Sequence, residues 1–143
     1  MTRRLAPLAL LLAVACRQQV LVDTSEARFI PRDVALDGLK EVLPTADGLE
    51  RTQPRHWLAR EDIAEWVVDD LGIEARSAAK PPIRIAFKDE ITTRLDKVAL
   101  HYQLCVFTPA QPHPAKAYAH LMWTSEASAR RALELFDALR LKP

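Results

Sequence analysis

Alternation between apolar and other side chains is the feature that most limits the fold of this chain. IRIAF at residues 83–87 places Ile83, Ile85 and Phe87 on one side, and DKVALHYQLCVFT at residues 96–108 alternates along its whole length. Successive side chains of a β-strand point to opposite faces, so both stretches are predicted to be strands. The second stretch carries apolar residues on part of its other face as well, which predicts a central strand covered on most of both faces.

A further strand and an amphipathic helix are predicted at the carboxyl end. Three prolines mark a loop over residues 108–114, and KAYAHLMWTS at residues 116–125 follows as a strand. Ser125 is placed to cap a helix, since its side-chain oxygen can accept a hydrogen bond from the first turn. Spacings of three and four residues predict the buried face of that helix, formed by Ala129, Ala132, Leu133, Phe136 and Leu139.

The first half of the chain is predicted to begin with a short helix, capped by Asp33 and ended by Pro44. Residues 45–54 contain the turn pair Asp47-Gly48 and are predicted to be a loop, followed by a short strand at residues 55–58. Residues 62–76 fit either a helix or a hairpin, because periodicity does not distinguish the two in so short a run.

The amino terminus has the order of parts found in an export signal. Arg3 and Arg4 precede an apolar run, Leu5–Val14, that ends in small residues before Cys16. The run is too short for a transmembrane helix, which needs about twenty apolar residues. Residues 1–15 are therefore predicted to be a signal peptide, cleaved at the bond between Ala15 and Cys16.

Leu12-Ala13-Val14-Ala15-Cys16 also resembles the lipobox of bacterial lipoproteins, with alanine rather than leucine three positions before the cysteine. The resemblance implies a diacylglycerol on Cys16 and a membrane-anchored protein of the cell envelope, with its domain facing the periplasm. Arg17 after the cysteine, rather than aspartate, favours the outer membrane. Plain secretion, or a disulfide between Cys16 and Cys105, is the alternative, since exported proteins with two cysteines usually pair them. Under lipidation, Cys105 is expected to be buried and unpaired.

The region from about residue 62 to residue 141 resembles the pleckstrin-homology-like (PH-like) domains of bacteria. The resemblance rests on FKDEI at residues 87–91 and on WTSEASARRALELFDALR at residues 123–140. It implies an α+β fold, with a small antiparallel β-barrel or strongly curved sheet and a C-terminal plug helix, preceded by a short N-terminal helix. It also favours the hairpin over the helix for residues 62–76.

The predicted organisation is a signal peptide at residues 1–15, a tether at residues 16–30 and one α+β domain at residues 31–143. A short edge strand is possible within the tether at residues 20–22, and the PH-like part covers about residues 55–143. Without Arg3 and Arg4 the chain keeps 18 Lys and Arg against 19 Asp and Glu. Because positive and negative charges nearly balance, the chain has no overall positive electrostatic field that would attract nucleic acid.

The residues give no clear sign of catalysis. The four histidines, His56, His101, His113 and His120, lack a second ligand type at metal spacing, although His101 and His120 can face each other on neighbouring strands. Acidic pairs such as Asp89-Glu90 are typical of turns and caps. No catalytic, cofactor-binding or metal site is predicted, and the lipid attachment at Cys16 is the one predicted site.

The predicted function is a non-enzymatic binding or structural role in the cell envelope. The predicted partners are the membrane, through acylated Cys16, and an unidentified envelope protein. A module that binds a small ligand or a lipid is the first alternative. An enzyme using His101, His120 or Asp89 is the second.

Overall fold

The computed structural model describes residues 17–87, 91–108 and 117–140. The predicted signal peptide, Cys16, Asp89 and His113 therefore lie outside the described residues. Within those residues the chain forms two α-helices and nine β-strands. The helices are α1 (Arg32–Val42) and α2 (Glu126–Arg140), and the strands are β1 (Arg17–Val20), β2 (Gly48–Thr52), β3 (Arg55–Ala59), β4 (Ile63–Asp69), β5 (Gly72–Ser77), β6 (Ile83–Ala86), β7 (Thr92–Val98), β8 (His101–Phe107) and β9 (Ala119–Trp123).

The strands form two antiparallel sheets. The larger has the order β1-β7-β8-β9-β2-β3 and the smaller the order β4-β5-β6. With the C-terminal helix α2, this confirms the predicted α+β class. The prediction of a closed barrel is wrong, because the described strands leave β1 and β3 as edges of the larger sheet and β4 and β6 as edges of the smaller sheet. Alternation predicts a half-buried strand but not whether two edges pair, and pairing of edges is what closes a barrel.

One row of apolar side chains crosses the larger sheet from edge to edge. Cross-strand partners bring together Val20, Leu95, Leu104, Leu121, Leu49 and Leu58. The five leucines are 0–1% exposed, and burying each contributes about 1.5–3 kcal/mol to folding. Helix α2 covers this face and packs against β7, β8 and β9, whereas α1 packs against α2 and β4. Leu39 of α1 and Phe136 of α2 belong to the same core. The predicted buried face of α2 is confirmed at all five positions.

The smaller sheet belongs to the same core. Ile73, Ile83 and Ile85 are fully buried and pack within the same cluster as the leucine row. Phe87, which follows β6, meets Phe136 of α2 edge to face, with ring centroids 5.2 Å apart. The smaller sheet and the helices thus share one apolar interior. The hairpin predicted within residues 62–76 is confirmed, since β4 and β5 pair from residue 63 to residue 77.

Three predictions for the first half of the chain need correction. Residues 17–30 are not a tether: β1 pairs with β7, and Ala27 is buried in the core. Helix α1 is preceded by Pro31 at its N-cap, and Asp33 lies in its first turn instead of capping it. The predicted loop at residues 45–54 contains β2, which fills the space between β9 and β3.

The alternating run at residues 96–108 is not one strand. Strand β7 ends at Val98 and β8 begins at His101, so Ala99 and Leu100 form a two-residue turn. Ala99 has a φ of 53°, the left-handed conformation that such a turn requires. Apolar alternation continues through the turn, and neither residue is a glycine or asparagine, so the sequence conceals the break. Strand β8 is nevertheless central, as predicted.

Replacing Gly72 by alanine is expected to lower the free energy of unfolding by about 2–3 kcal/mol, because the added methyl group overpacks the sheet. A Cβ atom at this position would collide with the Ile85 carbonyl oxygen, which belongs to the backbone of β6. The measurement is equilibrium unfolding in urea. Gly38→Ala is the matched control, because its Cβ would meet the Leu135 side chain at 2.8 Å, which can move, and alanine favours the helix. Equal losses in the two variants would contradict the prediction.

Candidate functional site

The larger sheet carries a polar face on the side opposite the helices. Because side chains alternate between faces, the residues next to the leucine row point away from the core. Cross-strand partners place Arg94, Cys105, His120, Glu50 and Trp57 in one row across five strands. We call this side the outer face. Sequence reasoning did not predict this group of side chains.

Asp96 lies on the outer face, on the strand next to the β1 edge of the sheet, and is 2% exposed. Arg94 donates to both of its carboxylate oxygens, with Nε to Oδ1 and Nη2 to Oδ2 distances of 2.9 Å. Arg17 donates from Nε to Oδ2 at 3.0 Å. A buried carboxylate requires such partners because the interior solvates charge poorly. Arg17 therefore joins β1 to β7, whereas Arg94 lies on the same strand as Asp96. We call Arg17, Arg94 and Asp96 the carboxylate clamp.

The clamp determines the chemistry of Cys105. This residue is fully buried, and its Sγ lies 3.7 Å from Asp96 Oδ2. Burial, together with the negative charge of Asp96, raises the pKa of the Cys105 thiol to about 11. The nucleophilic form of cysteine is the thiolate, so Cys105 is a neutral thiol at neutral pH and is not suited to nucleophilic catalysis. It is buried as expected, but among charged groups rather than apolar ones.

Asp96 also affects the pKa of Arg17. Partial burial lowers the pKa of the Arg17 guanidinium, but the hydrogen bond and charge of Asp96 outweigh this effect and raise the pKa above its usual value. Arg17 Nη2 additionally donates to Gln103 Oε1 at 3.1 Å. The first strand is therefore fixed to the sheet by side-chain bonds as well as by its backbone pairing.

His120 and Glu50 form the second polar pair of the outer face. His120 Nδ1 lies 3.5 Å from Glu50 Oε1, and the two side chains are 15% and 19% exposed. Burial lowers the pKa of His120, although Glu50 opposes this shift. At neutral pH His120 is therefore uncharged and linked to a carboxylate.

The stability of the fold is expected to fall as the pH drops below about 6.5, the ordinary pKa of histidine. The pKa of His120 is lower in the folded state, so in this range the unfolded chain binds the extra proton more readily. Stability therefore rises with pH through this window and is fully present above the unfolded pKa. Urea unfolding between pH 5 and pH 7.5 should show the slope, and His120→Gln should reduce it. If the dependence of stability on pH is unchanged in His120→Gln, its assignment to His120 is contradicted.

The two histidines singled out from the sequence do not meet. His120 lies opposite Cys105 on β8, four residues from His101, which is about 13 Å along a strand. His101 Nδ1 instead lies 3.6 Å from Asp47 Oδ2. Residues 17–87, 91–108 and 117–140 contain no group of three or more His, Cys, Asp or Glu side chains able to hold a metal ion.

The acidic pairs Glu61-Asp62 and Asp69-Asp70 were predicted to act in turns and caps, and Asp62 and Asp69 do so. Asp69 Oδ1 accepts hydrogen bonds from the backbone N–H groups of Leu71 and Gly72 at 2.8 and 3.1 Å. Asp62 Oδ2 accepts from the Ala59 N–H at 3.1 Å and from Lys80 at 2.9 Å. These bonds lower the pKa of both carboxyl groups. Their role is to stabilise the ionised side chain at the turn.

A groove of about 610 Å³ lies at the helical side of the molecule. Its walls are the segment before α1, with Phe29 and Ile30, the first turn of α1 with Val34, and Arg131 and Glu134 of α2. Phe29 is 69% exposed and Val34 46%. Arg131 Nη1 and Glu134 Oε1 form a pair at 3.0 Å. The groove therefore combines apolar side chains with polar residues at positions 23–26 and the Arg131–Glu134 pair.

No protein-family model matches the chain, and neither a curated protein nor a solved structure matches it. Among the helices that the structure describes, none combines the length and the hydrophobicity needed to cross a membrane.

Proposed function

We propose that the chain is a lipid-anchored protein of the bacterial cell envelope with a non-enzymatic binding or structural role. In this proposal residues 1–15 are a signal peptide and Cys16 carries a diacylglycerol. The observation that carries it is the order of parts at the amino terminus: two arginines, an apolar run, small residues and then a cysteine. The domain faces the periplasm, and the outer membrane is the favoured site of attachment.

The position of β1 supports lipidation over a disulfide between Cys16 and Cys105. Arg17 pairs with Val98, whereas Cys105 pairs with Arg94. The Cα atoms of Arg17 and Cys105 are therefore about 16 Å apart, from four residues along the strands and two strand spacings across. The Cα of residue 16 lies about 3.8 Å from that of Arg17. A disulfide needs Cα atoms within about 7 Å, so bridging would require β1 to leave the sheet.

The bonding and protonation of the side chains on the outer face support a non-enzymatic role. The charged groups of the carboxylate clamp bond to one another, the Cys105 thiol is neutral, and His120 is paired with Glu50. General acid–base or nucleophilic chemistry requires such groups to converge on a substrate. Here they instead bond to one another, within β7 and between adjacent strands.

Expression of the full chain in a bacterium that processes lipoproteins tests this proposal. Intact-mass measurement should show a chain that begins at Cys16 and carries a diacylglycerol, and the protein should partition with membranes. Cys16→Ser should lose both properties, whereas Cys105→Ser, the matched control, should keep both. A Cys16→Ser variant that still partitions with membranes would overturn the lipid anchor.

A module that binds a small apolar ligand is the second candidate, favoured by the groove beside Phe29. Phe29→Ser should then weaken the binding of a fluorescent apolar probe such as anilinonaphthalene sulfonate. Leu71→Ser is the control, because Leu71 is also exposed, at 52%, and does not line the groove. Equal probe signals from the two variants would remove this candidate.

The PH-like relationship is retained as a proposal about the fold alone. It is supported by the consecutive three-stranded sheet β4-β5-β6 and by a helix that follows the last strand. The open six-stranded sheet counts against it. Since unrelated functions share common folds, no ligand is proposed from this relationship.

A further inference from the structure

The chain enters the described domain beside the turn that joins β7 to β8. Arg17, the first residue of β1, pairs with Val98, the last residue of β7. Ala99 and Leu100 follow directly as the turn. Cys16 is joined to Arg17 by a peptide bond, and paired strands are about 4.8 Å apart. A lipid on Cys16 is therefore attached next to this turn.

The β7–β8 turn has the composition of a membrane-contacting loop. Leu100 is 81% exposed, and Lys97 and Ala99 beside it are exposed as well. Lys97 Nζ lies 5.9 Å from the centre of the partly buried Tyr102 ring. Apolar residues flanked by a cation and a tyrosine are typical of loops at the interface between lipid and water.

The carboxylate clamp keeps the anchor point close to the turn. Arg17 bonds to the buried Asp96, and four residues of β1 pair with β7. The nearby acidic side chain, Asp47, is already engaged by Arg60 at 2.8 Å and by Thr124 at 2.7 Å. Anionic lipid headgroups would therefore meet the exposed Lys97 near the turn.

We propose that the β7–β8 turn, with Leu100 at its tip, inserts into the same phospholipid leaflet that holds the acyl chains of Cys16. This inference rests on the proposed lipid anchor and adds a defined orientation of the domain on the membrane. The larger sheet then stands with the Val98 end of β7 toward the bilayer. The groove beside Phe29 is not part of this contact.

Leu21 provides the comparison position within the same fold. It is 83% exposed and follows the opposite end of β1, where Val20 pairs with Leu95. The two ends of β1 are separated by about 10 Å along the strand. Leu100 and Leu21 therefore match in residue type and exposure but differ in their distance from the anchor.

Spin labels at the two positions test the proposal. Leu100→Cys and Leu21→Cys are made in the full chain, isolated in acylated form and reconstituted into vesicles of phosphatidylethanolamine and phosphatidylglycerol. Acylation consumes the Cys16 thiol, and Cys105 is buried with a pKa of about 11, so the label reacts at the new cysteine. We expect the label at residue 100 to be more accessible to oxygen than to a water-soluble nickel complex, and the label at residue 21 to show the reverse.

The possible outcomes distinguish a failure of the proposed insertion from a failure of the lipid anchor. Aqueous accessibility at both positions, in protein that carries the diacylglycerol and stays with the vesicles, would overturn the insertion of Leu100 and leave the anchor intact. A mass without diacylglycerol would overturn the anchor and the inference with it. In the Cys16→Ser variant, which carries no lipid, both labels should be more accessible to the nickel complex than to oxygen. A label at residue 100 that is more accessible to oxygen in this variant would contradict the claim that insertion of the turn depends on the lipid anchor.

Discussion

Replacement of Trp123 by alanine is expected to lower the free energy of unfolding by about 3–5 kcal/mol, the usual cost of removing a buried tryptophan. Trp123 is fully buried at the end of β9. Its indole Nε1 donates to Thr45 Oγ1 at 3.1 Å and approaches the Val42 carbonyl at 3.4 Å. The substitution therefore removes packing volume and the bonds that join the larger sheet to the end of α1. Equilibrium unfolding in urea measures the loss.

Two variants separate these contributions. Trp123→Phe keeps most of the apolar volume but leaves the hydrogen-bond acceptors without the indole N–H, and should cost about 1–3 kcal/mol. Leu100→Ala is the control for a large exposed side chain and should change stability by less than about 0.5 kcal/mol. Since small domains have only about 5–15 kcal/mol of stability, Trp123→Ala will be partly unfolded at 37 °C if the fold lies near the lower limit. If Trp123→Ala lowered the free energy of unfolding by less than Trp123→Phe does, the assigned packing of the indole ring would be contradicted.

Helix α2 was predictable because its pattern is local and long. Apolar residues at spacings of three and four select one face whatever that face packs against. Ser125 acts as predicted too, since its Oγ accepts a hydrogen bond from the Ser128 N–H at 3.3 Å. Strands β6 and β9 and the β4–β5 hairpin were also found from short apolar runs and turn residues.

The errors arose where pairing between distant segments decides the structure. Strand β2 has little apolar alternation, because Leu49 is its single large apolar residue. It forms because β9 and β3 offer backbone partners on both sides. The β7–β8 turn lacks the usual turn residues. Closure of a barrel depends on which edges pair, and local alternation carries no information on that.

The outer face was missed for the same reason. Arg17 and Asp96 are 79 positions apart, and only the β1–β7 register brings them together. The signal available in the sequence was Arg94-x-Asp96, an opposite-charge pair whose second member begins the predicted strand at residues 96–108. That spacing alone is common on exposed strands, so it does not reveal that the carboxylate is buried.

Replacement of Arg94 by methionine is expected to lower the free energy of unfolding by about 3 kcal/mol, the low end of the cost of leaving a buried charge without one partner. Asp96 would keep its bond to Arg17, whose side chain is 45% exposed, and the weak hydrogen bond from the Cys105 thiol at 3.7 Å. Methionine keeps a long apolar stem, so the loss reports the charge and its two hydrogen bonds rather than a cavity. Urea unfolding measures the effect.

A paired substitution and a surface control decide whether the buried charge is the cause. Arg94→Met with Asp96→Leu should regain most of the loss, because an apolar replacement of a buried ion pair is often close to neutral. Arg32→Met removes the pair with Asp70, which is 71% exposed, and should cost less than about 1 kcal/mol. If Arg94→Met costs no more than Arg32→Met, Asp96 is hydrated rather than clamped. The anchor point at Arg17 would then lose the side-chain support on which the proposed membrane orientation depends.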